Sequence, residues 1–127
     1  LCGNTLIIGL SAVVADLLAV ARGGDVAPGD ALGVTEFLNV AGMIAGRGRN
    51  MAAGDYAPAF ELAMARKDVA LMLETAGGRP LAALPAIAAR MDALIGAGRG
   101  GDDLAVLGVG ARTDWRPNTG DRRPESG

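Results

Sequence analysis

Histidine is absent from this sequence of 127 residues, and cysteine occurs once, as Cys2. Without histidine the chain lacks the commonest metal ligand and general base, so we expect no metal site and no serine triad. One cysteine cannot form an internal disulfide, which favours a reducing compartment and a cytoplasmic location. Cys2 has no histidine beside it to activate the thiol, and we interpret it as a small apolar residue.

Aromatic residues are also scarce, at 3% of a chain that is 50% hydrophobic. The core must therefore consist of aliphatic residues and methionine, a composition that favours packed helices over a sheet. Apolar residues recur at steps of three and four, and no segment alternates as a strand does. The sequence predicts an all-α domain of about six helices over residues 1–111, followed by a disordered polar tail over residues 112–127.

Strong charge of one sign is missing as well. The net charge is −2, the isoelectric point is near 5.0, and no stripe of basic residues occurs. A nucleic-acid partner is therefore not expected.

Residues 1–21 form the longest apolar run, close to the ~20 residues that span a membrane. Asp16 would lie inside such a span at a cost of ~2.5–3.5 kcal/mol, and no positive segment precedes it. We therefore predict a long buried first helix and no membrane contact, with a membrane-associated bundle as the alternative. A helix that is apolar all round needs more cover than a small domain supplies, which predicts a homodimer or higher homo-oligomer through this helix. We expect Asp16 to bond to backbone or to an arginine.

The following segments contain many helix-breaking residues. Pro28 is predicted to open a helix that runs to about Ala41, and residues 43–54 to form a short helix with loops. Arg47 and Arg49 in that stretch are interpreted as surface residues.

Two more helices are predicted towards the end of the domain. One follows Leu81 and carries Pro85 in its first turn. A short last helix from Leu104 to Val109 would be capped by Asp102 or Asp103.

Lys67, the only lysine, lies on a predicted helix between Pro58 and Gly77-Gly78. Its neighbours at helical spacing are small or apolar, so its ammonium group needs an anion from Glu74, from another element or from a ligand. The alternative is an ordinary solvated lysine with a loose carboxylate neighbour.

Three short motifs, in order, resemble those of β-hydroxyacid dehydrogenases, the 3-hydroxyisobutyrate dehydrogenase-like NAD(P)-dependent oxidoreductases. The segment from Asp55 resembles D-Y/F-x-P-x-F-x-L-x-x-x-x-K-D, with Phe60 on its phenylalanine and Lys67-Asp68 on its Lys-Asp pair. Asn4 matches the asparagine of G-x-x-G-x-G-x-x-x-K-x-x-x-N. Asp103 matches the aspartate of the closing G-H-G-D-x-D-x-S-A-L. The departures are Val69, Ala70, Met72 and Glu74 for Leu, Gly, Ala and Asp, and Ala105 for Ser.

The resemblance implies a 6-phosphogluconate dehydrogenase C-terminal-like domain that closes over NAD or NADP. It implies cofactor-binding roles for Lys67, Asp68 and Phe60. Asn4 would orient a general acid/base lysine standing just before Leu1, although from spacing alone it could equally cap a helix. The N-terminal Rossmann domain of the family is absent from this sequence. We therefore expect a C-terminal fragment that is inactive by itself.

The resemblance also implies a hydride transfer between a nicotinamide and a small substrate, of the β-hydroxyacid type or an imine. The competing function is a non-catalytic helical module for dimerisation or scaffolding. That module would account for the apolar first helix equally well.

Overall fold

The computed structural model describes residues 1–110, which form helices and no β-strand. The all-α prediction is therefore confirmed for this part of the chain, whereas the predicted tail lies outside the described residues. A 3-10 helix, Gly33–Glu36, precedes α3, and a second, Leu104–Gly108, ends the described part. The α-helices are α1 (Cys2–Gly23), α2 (Pro28–Leu32), α3 (Val40–Ala53), α4 (Leu62–Ala76) and α5 (Leu84–Gly96).

The core lies where α4, α5 and the last 3-10 helix meet. Leu62 and Val106 have no exposed surface, and the partly buried Leu73 and Ile87 pack around the cluster. Leu62, Ala65 and Val69, which recur along α4 at steps of three and four, belong to this core, whereas Met72 is 37% exposed. The buried cluster comprises Leu62, Ala65, Val69, Ala88, Met91, Leu94 and Val106.

The end of α1 contacts the end of α4 at very short range. A Cβ atom at Gly23 would overlap the carbonyl oxygen of Thr75 and lie 3.2 Å from the Cα of Ala76. Gly23 is the last residue of α1, and Gly24 follows at the C-cap. Glycine is needed at position 23 because of this close helix contact.

Residues 1–110 bury only part of the first helix, which corrects the prediction of a helix buried on nearly all sides, and the predicted cover by a second copy stays a prediction. Only Asp16 and Ala21 of α1 are buried, and the large apolar side chains of its first half are exposed. The reason is geometric: α4 and the start of α5 pack on the second half of α1, and the first half has only partial cover, on the side of the chain that leads into α3. By length and composition alone α1, with 22 residues and mean hydropathy 2.0, could cross a membrane.

The region from residue 28 to residue 54 also differs from the prediction. The helix that starts at Pro28 ends at Leu32, and one continuous helix, α3, replaces the predicted short helix with loops. Asn39 begins α3, since its side-chain oxygen accepts the N–H of Gly42 at 2.9 Å. This cap offsets part of the cost of the glycines inside α3, each of which costs a helix about 1 kcal/mol.

Candidate functional site

Asp103 is the centre of the polar network that leads into the lysine-bearing helix α4. Its carboxylate is 2% exposed and caps the last 3-10 helix by accepting the N–H of Ala105 at 2.7 Å. The same carboxylate accepts the N–H groups of Ala59 at 3.1 Å and Phe60 at 2.9 Å. Arg47 of α3 donates its Nε–H to it at 3.2 Å. One side chain therefore joins α3, the segment before α4 and the end of the described chain.

Backbone hydrogen bonds join the same two segments. They supply acceptors for N–H groups at the start of α4, because the first N–H groups of a helix have no carbonyl partner within that helix. Because this segment is held extended, α4 begins at Leu62, four residues later than Pro58 had suggested. The bonds run from Asp103 N to Tyr56 O (2.9 Å), Leu104 N to Phe60 O (2.8 Å), Leu62 N to Asp102 O (2.8 Å) and Ala63 N to Gly100 O (3.0 Å).

The environment of Asp103 favours the ionised carboxylate. Burial by itself would raise the pKa of Asp103, but the hydrogen bonds from Arg47 and from the N–H groups of Phe60, Ala105 and Ala59 outweigh it. The pKa of Asp103 is consequently held well below its ordinary value of 3.8. The carboxylate is thus a fixed negative charge with a structural role.

Lys67 lies on the exposed side of α4, and its side chain forms no hydrogen bond or ion pair within residues 1–110. Glu74, which the sequence suggested as a partner, does not reach it. The adjacent Arg66 is neutralised instead, because it donates two hydrogen bonds to Asp92 of α5, at 2.8 and 3.2 Å. Asp68 is exposed and likewise unpaired within the described range. The ammonium group of Lys67 is therefore accessible to a ligand or to solvent.

Phe60, Lys67 and Asp68 lie on one continuous stretch of chain, with the backbone of Phe60 bonded on both sides by residues 103 and 104. The Phe60 side chain is 37% exposed. Asn4 is not joined to this group by any hydrogen bond. It lies exposed inside the first turn of α1, and Leu1 occupies the capping position, so the interpretation of Asn4 as the cap is wrong.

A second buried carboxylate, Asp16, joins α1 to the start of α5. It is 2% exposed and accepts the N–H groups of Ala82 at 2.6 Å, Ala83 at 2.9 Å and Leu84 at 2.7 Å. The expectation that Asp16 bonds to backbone is confirmed. Burial would raise the pKa of Asp16, but the three N–H groups together lower it below 3.8.

An apolar groove of about 590 Å³ lies between α1 and the chain that leads into α3. One wall is the exposed face of α1, and the other includes the start of α3. The groove is lined mainly by Leu10, Val13, Leu17, Val34, Leu38 and Met43. Within residues 1–110, no three cysteine or acidic side chains are grouped to hold a metal ion.

No protein-family model matches the chain, and no curated protein is significantly similar to it. The resemblance to β-hydroxyacid dehydrogenases consequently rests on the three motifs, and the function drawn from it is a proposal.

Proposed function

We propose that this chain is the helical, cofactor-closing domain of an NAD(P)-dependent oxidoreductase of the β-hydroxyacid dehydrogenase type. The reaction would move hydride between the nicotinamide and a small β-hydroxyacid-type or imine substrate. The observation that carries the proposal is the Asp103 network, because it bonds two of the three motif segments to each other. A chance match of two short motifs gives no reason for their backbones to be hydrogen-bonded together.

Lys67 is the residue that would contact the cofactor. A dinucleotide is anionic, and Lys67 presents a positive charge that no residue within 1–110 neutralises. Phe60 supplies an apolar side chain at the start of the same segment, and the exposed Asp68 would tether Lys67 or the helix. The bonds from Phe60 to Asp103 hold this segment in one conformation, which limits the entropy lost on binding.

Asn4 has a separate role in the proposal. It would orient the general acid/base lysine, which would stand immediately before Leu1. Asn4 is exposed in the first turn of α1, and its side chain has no hydrogen-bond partner within residues 1–110, so it is accessible for such a contact. Because the dinucleotide fold and that lysine are not part of this sequence, we expect no dehydrogenase turnover from this polypeptide alone.

Determining the coding sequence upstream of Leu1 tests the family assignment. The proposal predicts a glycine-rich βαβ unit and a lysine directly before Leu1. An unrelated upstream sequence, or a stop codon in frame shortly before Leu1 in an intact gene, would contradict it.

The second candidate is a non-catalytic module for dimerisation or scaffolding. The exposed apolar first half of α1 favours it, since an apolar surface of this kind marks an interaction site. Both candidates predict self-association through α1. Only the oxidoreductase predicts a specific effect of Lys67 on nucleotide binding.

A further inference from the structure

The helix α3 differs from α4 and α5 because none of its residues is buried. It contacts the last 3-10 helix through the Arg47–Asp103 ion pair and through Met51, whose side chain lies against Gly108. Little apolar surface is therefore removed from water when α3 docks. Segments with few buried apolar contacts open at a lower free energy than the rest of a protein.

The ion pair joins a side chain of α3 to Asp103, the residue that caps the last 3-10 helix. The Arg47 side chain is 24% exposed and that of Asp103 is 3% exposed, so the pair is largely shielded from solvent. Charge-assisted hydrogen bonds are about twice as strong as neutral ones, and the shielding limits screening by salt.

We propose that α3 is a flap latched by the Arg47–Asp103 ion pair, which opens while α4 and α5 stay folded. Opening uncovers the last 3-10 helix and widens the apolar groove, since Val40 and Met43 at the start of α3 form part of its wall. This inference concerns the fold alone and does not depend on the oxidoreductase proposal.

Loss of Arg47 should release the flap without disturbing the segment before α4. Asp103 would keep the N–H groups of Ala59, Phe60 and Ala105, and these three donors satisfy most of its carboxylate. Loss of Asp103 would instead remove the cap and the segment contacts together. Arg47 is therefore the variant that isolates the latch.

The test is hydrogen–deuterium exchange of the 127-residue chain, followed by mass spectrometry of peptides from each helix. In the wild type, the amides of α3 should exchange at least about tenfold faster than the buried turns of α4 and α5. Arg47→Met should raise exchange in α3 by a further tenfold or more, and leave α4 and α5 unchanged. Arg49→Met is the matched control, because Arg49 lies on the same helix, is exposed and forms no ion pair within residues 1–110. It should behave like the wild type.

Three results would overturn the proposal. They are equal exchange of α3 in Arg47→Met and the wild type, the same acceleration in Arg49→Met, and an acceleration spread evenly over α3, α4 and α5. If Arg47→Met does not fold, the exchange rates of the wild type still test the proposal. Exchange of α3 as slow as that of α4 and α5 would exclude a flap.

Discussion

At the scale of single residues, the buried carboxylates bond across long stretches of sequence. Asp16 of α1 caps the start of α5, whose own preceding residue, Ala83, has no side chain that can cap it. Asp103 holds the segment that enters α4. Each replaces a local cap with one supplied from a distant part of the chain.

Asp16→Ala should lower the free energy of unfolding by about 1–3 kcal/mol, because three buried N–H groups lose their acceptor. Urea denaturation followed by circular dichroism measures this. Asp30→Ala is the control, since Asp30 is exposed and makes no side-chain hydrogen bond within residues 1–110, and it should change stability by less than about 0.5 kcal/mol. Equal effects of the two substitutions would show that the cap contributes nothing.

Acid should unfold the protein through these same groups. The pKa values of Asp16 and Asp103 are lower in the folded state than the ordinary value of 3.8. Their contributions to stability are therefore present above about pH 4 and are lost as the pH falls through the lowered values. The urea concentration at the unfolding midpoint, measured from pH 7 to pH 2, should decrease once the pH is below about 4. Asp16→Asn should make that fall shallower, and an unchanged slope in this variant would contradict the assignment.

At the scale of helices, the packing of α1 on α4 depends on the missing side chain of Gly23. Gly23→Ala should destabilise the protein by about 1–3 kcal/mol, because backbone atoms of α4 leave no room for the added methyl group. Gly46→Ala in α3 is the control: a Cβ there meets nothing within 4 Å, so better helix propensity should make it neutral or slightly stabilising. Thermal unfolding compares the two variants, and a fully stable Gly23→Ala protein would show that α1 packs differently.

The helices that sequence periodicity predicted best are α4 and α5. On α4, one buried face carries Leu62, Ala65 and Val69, so their spacing alone predicts the helix and the side that it buries. The boundaries of α2 and α3 were wrong because a single capping residue, Asn39, decides where α3 begins. The cap of the last 3-10 helix by Asp103 follows a local pattern that the sequence did predict. The other backbone partners of Asp16 and Asp103 lie more than 40 residues away in sequence, at main-chain N–H groups that any residue type could supply. No local pattern could have identified them.

At the scale of the whole molecule, the first half of α1 exposes a run of large apolar side chains. We expect it to be covered by a second copy of the chain, since Asp16 anchors the other half of α1 to α5 and keeps it within the domain. Sedimentation velocity at micromolar concentration should detect a dimer or higher oligomer. Ile8→Glu, at a residue that is 69% exposed, should dissociate it, whereas Leu71→Glu on α4 should not. A stable wild-type monomer would contradict this expectation.

The central proposal, that Lys67 contacts a nicotinamide dinucleotide, is tested most directly by titrating NADH and NADPH into the chain extended through the dinucleotide fold that the proposal places upstream of Leu1. Lys67→Ala should weaken binding by about 1.5–3 kcal/mol, or roughly tenfold to over a hundredfold in dissociation constant, because a charge-assisted contact is lost. Arg90→Ala removes an exposed cation from α5 that has no ion-pair partner within residues 1–110, and it should leave the dissociation constant unchanged. Equal dissociation constants for the wild type and Lys67→Ala would contradict the proposal and leave Lys67 as an ordinary surface lysine.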